Sequence, residues 1–151
     1  MSQSVAIKNI LYAWGLAFSP HVLKLFILRA GGHLWDNKKG RHNMTDPKAI
    51  RASPIVIARA QRADAAHQNG MESFPLFAIA SLVAVYAGVD VEEVATLQKA
   101  YLGLRLLYNI IFIVGGNDAV ALSRTLVWGS SVYTSISLLL KSSRALAAKG
   151  L

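Results

Sequence analysis

The chain contains no cysteine. Disulfides, thiolate metal sites and a cysteine nucleophile are therefore excluded. Charge is also scarce: charged residues make up 16% of the chain, against roughly 25% in soluble domains. Acids are scarcer still, with 8 Asp and Glu among 151 residues. No internal repeat or low-complexity tract appears. A cleavable leader is not expected either, because the first apolar stretch carries Pro20, His21 and Lys24 and no small-residue cleavage pattern.

What is present is apolar. Hydrophobic residues reach 54% before the 11 glycines are counted, and mean hydropathy is +0.39. A single domain over 1–151 that crosses a membrane several times fits this better than a soluble helical bundle. The net charge of +8 and a pI near 10.1 raise the question of nucleic acid. The basic residues cluster in short stretches between apolar segments, however, rather than along one solvated face. That pattern marks loops near anionic membrane lipid, so no nucleic-acid partner is expected.

Four apolar segments follow one another: "ILYAWGLAFSPHVLKLFIL" (10–28), "FPLFAIASLVAVYAGV" (74–89), "VATLQKAYLGLRLLYNIIFIV" (94–114) and "AVALSRTLVWGSSVYTSISLLL" (119–140). A spanning helix needs about 20 mainly apolar residues, so the second must borrow length from the polar stretch before it. The expected spans are about 9–29, 55–88, 94–115 and 119–141, with a basic loop over 30–54. Pro20 is expected to kink the first helix without ending it, because a membrane helix can satisfy the freed carbonyl elsewhere. Lys38, Lys39, Arg41, Lys48 and Arg51 in the loop, set against Asp90, Glu92 and Glu93 in the next turn, place the loop and "GGND" on the cytoplasmic side. Lys141, Arg144 and Lys149 at the tail run against that orientation.

The polar stretch is "RAQRADAAHQNGMESFPLF", 59–77. Its alanines favour helix, and at helical periodicity Arg62, Asn69 and Glu72 share one stripe, with Arg59 on the same side. Such groups near hydrocarbon must be paired or face a wet cavity. They form either a structural ion-pair network or a site for a zwitterionic ligand. In the second case Arg binds a carboxylate, Glu72 an ammonium and Asn69 a peptide group. Arg105, Tyr108 and Phe112 form a second stripe on the third segment, and Arg124 opens the fourth. Converging arginines favour an anion; aromatic packing for Tyr108 and interfacial snorkelling for Arg124 are the plainer readings. His67 has no partner at ligand spacing, so no metal is expected.

The run "AHQNGMESFPLF", with Asn69 and Glu72 three residues apart before a proline-containing apolar helix, resembles the helix-two signature of the MAPEG family, the membrane-associated proteins of eicosanoid and glutathione metabolism. "RLLYNIIF" (105–112), the Arg opening segment four and the order of the four segments extend the resemblance. It implies an all-α integral membrane four-helix bundle assembled as a homotrimer. Glutathione would be the co-substrate, bound bent between neighbouring subunits near the cytoplasmic face.

Residue by residue, the resemblance places Asn69, Glu72 and Tyr108 against glutathione. It gives Arg124 the thiolate, while Arg62 and Arg105 are added as cationic contacts from the helical stripes alone. The activity implied is conjugation of glutathione to a lipophilic electrophile, or reduction of a lipid hydroperoxide, in the endoplasmic reticulum membrane of a eukaryote or the inner membrane of a bacterium. A non-catalytic lipid-binding or scaffold relative is the alternative within the family; a small transporter or channel subunit is the alternative outside it. The chain departs from the pattern in having Ala65 where relatives often carry Arg, and Phe112 where many carry Tyr. Its "VGGNDAVAL" stretch is also longer than in mammalian relatives.

Overall fold

The computed structural model describes residues 3–40, 43, 50–115 and 118–150. Among these it contains four α-helices and no strand: α1 Gln3–Ala30, α2 Pro54–Ala87, α3 Val91–Val114 and α4 Asp118–Ala147. Arg41, Lys48, Gly116 and Asn117 lie outside the described residues.

Local chemistry sets the ends. Ser53 caps α2 by accepting the Val56 amide, with Pro54 at the first helical position where no amide is needed. Gly88 closes α2 in the left-handed conformation at φ 72°, and Asp90 caps α3 by accepting the amides of Glu92 and Glu93. Gly115 ends α3 where a side chain could not fit, since a Cβ there would lie 2.0 Å from Val120 Cγ1.

The helices alternate in direction. At one end Ala6, Ala80, Ala84, Val94 and Leu138 pack together; midway Phe77 stacks on Tyr101 at 3.9 Å; at the loop end Leu28 meets Ala60 and Ile50. The alanines of α2 line the interior, which lets helices approach closely, as membrane helices do. Backbone meets backbone closely at Gly70, where a Cβ would lie 3.0 Å from Ala17 Cα and 3.2 Å from its carbonyl oxygen. Gly70→Val is therefore expected to cost about 1–3 kcal/mol through overpacking, seen as a lower melting temperature in detergent. Gly103→Ala, where a Cβ meets nothing, should melt no lower than wild type. Equal melting of the two variants would remove Gly70 as the α1–α2 contact point.

Helix α1 runs unbroken through Pro20. Proline has no amide for the Leu16 carbonyl four residues back. That carbonyl instead accepts Asn109 Nδ2 from α3 at 3.1 Å and Ser19 Oγ at 2.9 Å. The neighbouring Ala17 carbonyl lies 3.0 Å from His67 Nδ1 of α2. Neighbouring helices thus supply the missing donors, as expected for a proline in a membrane helix.

Large apolar side chains point outward. On α1 they run from Ile7 to Phe26, and on α4 from Leu122 to Leu140. At about 1.5 Å per residue each band is about 27–29 Å tall, the thickness of a bilayer core. By length and composition α1, α2 and α3 are apolar enough to cross a membrane. Helix α4, which carries Arg124 and a series of hydroxyls, falls outside that set. Ser123, Thr125, Ser130, Ser131, Thr134, Ser137 and Ser142 each donate to a carbonyl three or four residues back. They are therefore satisfied without water, and the outer face of α4 stays apolar.

Candidate functional site

The polar stripes meet in an open cleft of about 350 Å³, lined by Asn69 of α2, Tyr108 and Phe112 of α3, and Ala121, Arg124, Thr125 and Trp128 of α4. A second cavity, about 270 Å³, lies at the opposite end against Val85, Val89 and Val94. It is lined by no cation and offers an anion no partner.

Arg105 does not line the cleft; it is buried behind two residues that do, Asn69 and Tyr108. Its Nη1 donates to Asn69 Oδ1 at 2.9 Å, and its guanidinium carbon lies 4.6 Å from the Tyr108 ring centroid. The residue is only 3% exposed, and its Nη2 is buried without a partner. Among the described residues no carboxylate pairs with it. A buried guanidinium without a counter-charge is costly, so this one is suited to receive an anion. Tyr108 and Phe112 contact each other at 5.4 Å between ring centroids. Arg124 lies 4.4 Å over the Phe112 ring from the facing helix. One guanidinium, a carboxamide and a phenol thus line one space, with the Arg105 guanidinium bonded to the carboxamide from behind.

The other sequence candidates stand at its edges. Glu72 is exposed three residues along α2 from Asn69 and lies within electrostatic reach of Tyr108. Arg62 is not in the cleft lining. It is half-buried two turns above Asn69, where its Nε donates to the Ile113 carbonyl at 3.1 Å. His67 turns away from the cleft toward α1, against Ala17 and 5.1 Å from the His21 ring. No group of three or more His, Asp and Glu among the described residues could hold a metal ion.

Thr125 and Trp128 line the cleft but are not among the residues picked out in the sequence. Their position beside and one turn after Arg124 was the available signal, since Trp128 shares Arg124's face of α4.

The MAPEG family profile matches residues 9–143. The chain belongs to the MAPEG family. Membership carries the general fold, an integral membrane helical bundle, and a general link to glutathione and lipid substrates. No curated protein and no solved structure matches the chain. Within this MAPEG protein the match takes in both walls of the cleft, from Asn69 to Trp128.

Proposed function

We propose that this MAPEG protein is a glutathione-dependent membrane enzyme that conjugates glutathione to a lipophilic electrophile or reduces a lipid hydroperoxide. The observation that carries the reading is the buried, acid-free guanidinium of Arg105, bonded to Asn69 behind a cleft whose facing wall carries Arg124. Glutathione has two carboxylates, one ammonium, two peptide groups and a thiol, and the stripe offers a partner to each kind. Arg105 and Arg62 receive carboxylates, Asn69 a peptide group and Glu72 the ammonium. Arg62 stands seven residues from Asn69, or about 10 Å of helix, beyond the cleft lining, so its part is at the far end of the ligand.

Glutathione supplies the sulfur that this cysteine-free chain lacks; its thiolate displaces a leaving group from an electrophilic carbon, or cleaves a peroxide bond to release an alcohol, with a second glutathione closing the disulfide and releasing water. The chain's part is electrostatic. A free thiol has a pKa of about 8.5, and a guanidinium beside it raises the thiolate fraction at neutral pH. We assign that guanidinium to Arg124, the cation on the cleft's opposite wall, with Trp128 offering an apolar surface to a substrate arriving from the bilayer. Placing the loop end on the cytoplasmic side gives glutathione access from water. Two of the three tail cations that run against this orientation are engaged, Lys141 with Glu93 at 3.0 Å and Lys149 Nζ with the Ala87 carbonyl at 2.9 Å; Arg144 stays exposed. A homotrimer would close the cleft's open side. The membrane is that of the endoplasmic reticulum in a eukaryote and the inner membrane in a bacterium.

Calorimetric titration of glutathione into detergent-purified protein is the test. Saturable binding is expected, weakened about tenfold or more in Glu72→Ala by loss of a charged partner. Arg124→Ala should bind glutathione but lose about 10²–10³ in turnover with an aromatic halide or a hydroperoxide. Absence of wild-type binding at millimolar glutathione would overturn the reading. Binding without turnover would leave the non-catalytic alternative.

A further inference from the structure

We propose that the ledge between α1 and α2, built from residues 33–40, Asn43 and Arg51, is a seat for the headgroup of an anionic phospholipid. The ledge is folded on itself. Buried Asn43 accepts the Asp36 amide at 3.1 Å and donates to the carbonyls of Asp36 and Gly40, both at 2.8 Å. Asp36 in turn accepts the Lys38 amide at 2.9 Å. Gly40, at φ 49°, supplies the left-handed bend that closes this knot. The Arg51 amide donates to His33 Nδ1 at 3.3 Å, which ties Arg51 to the same platform.

The platform holds its cations outward. Lys38, Lys39 and Arg51 are exposed, as are Arg29 in the last turn of α1 and Arg59 in the second turn of α2. None of the five has an acidic partner among the described residues. Three cations elsewhere are engaged, Lys24 by Asp64, Lys141 by Glu93 and Lys149 by a carbonyl, while Lys8, Lys99 and Arg144 are exposed but scattered along three different helices. Leu34 stands 74% exposed beside these charges, and Ile55, at the start of α2, is 79% exposed. An exposed leucine among unpaired cations suits the membrane–water interface, where one enters the lipid and the others meet phosphate.

Depth decides the partner. Helix α1 ends at Ala30, four residues beyond Phe26 at the edge of the apolar band, so the ledge begins about 6 Å above the hydrocarbon. That is headgroup level. The cleft has no part in it, since none of the ledge residues lines it. The inference therefore does not rest on the proposed glutathione chemistry.

The test uses full-length, delipidated protein in neutral detergent, titrated with phosphatidylglycerol or phosphatidylcholine of matched chains, with bound lipid counted by native mass spectrometry. Wild type is expected to prefer phosphatidylglycerol by roughly tenfold or more. The triple variant Lys38→Gln, Lys39→Gln, Arg51→Gln should bind both lipids alike while keeping the wild-type melting temperature, because the knot's bonds use none of those side-chain charges. The control Lys99→Gln, Arg144→Gln, which removes exposed cations elsewhere, should keep the preference. Equal binding of the two lipids by wild type overturns the proposal, as does a preference that survives the triple variant. Full displacement of phosphatidylglycerol by millimolar inorganic phosphate would also overturn it, by showing a site for free anions rather than a lipid seat.

Discussion

Arg105→Met is expected to raise the melting temperature of the ligand-free protein and to weaken glutathione binding by about a hundredfold. The two effects have one cause. Arg105 is 3% exposed and holds one hydrogen bond, to Asn69, one face contact, to Tyr108, and one buried nitrogen with nothing to donate to. Replacing a buried ionic group by an apolar side chain of similar volume is often neutral or stabilising by about 1–4 kcal/mol. Losing a buried charge partner from a bound anion costs about 2–5 kcal/mol, which spans the hundredfold figure. Scanning fluorimetry without ligand and calorimetry with glutathione read the two halves separately. Arg105→Lys should fall between, since it keeps the charge and loses the planar fork. If the methionine variant instead melts lower and binds glutathione as wild type does, Arg105 is a structural brace for α2.

The stripes that carry Arg105 and Asn69 could be read from the sequence, while the cleft could not. Asn69 and Glu72, or Arg105 and Tyr108, are neighbours on one helix, so helical periodicity alone groups them. The four-helix architecture was legible for a similar reason: turn residues such as Gly88 and Asp90 sit between long apolar runs. The α4 wall is different. Its interior carries Ser131, Ser135 and Ser142, while Leu122, Leu126 and Leu140 face outward. In lipid the apolar face is the outer one, so the period that finds a core in a soluble helix points to the wrong side here. Arg62 shares the α2 stripe with Asn69, yet the stripe is longer than the cleft, and its Nε is engaged by Ile113 of another helix. Contacts of that kind, like Asn109 on the Leu16 carbonyl freed by Pro20, depend on helix register, which no local pattern states.

The same holds for Lys24 and Asp64, forty residues apart, and here the expected stability effect is the largest. Lys24 interrupts the first apolar segment, and its Nζ meets Asp64 Oδ1 at 2.6 Å, with side-chain exposures of 4% and 24%. The ammonium also lies 4.8 Å from the Trp35 ring centroid, and Gln68 donates to the other Asp64 oxygen at 3.0 Å. Lys24→Ala leaves that carboxylate without a cation at the edge of hydrocarbon, and removing one partner of a buried pair costs about 3–5 kcal/mol. We expect a large fall in melting temperature in detergent and poor membrane yield. The double variant Lys24→Met, Asp64→Leu removes both charges and should return to within about 1–2 kcal/mol of wild type. Because Asp64 lies two residues from Arg62 and five from Asn69 on α2, the rescued variant also tests what the pair does for the cleft. Restored stability with wild-type glutathione affinity would make the ion pair a fastening between α1 and α2. Restored stability with weakened affinity would make it the device that sets α2 in register with Arg105. A double variant as unstable as Lys24→Ala would refute the assignment of the cost to an unpaired carboxylate.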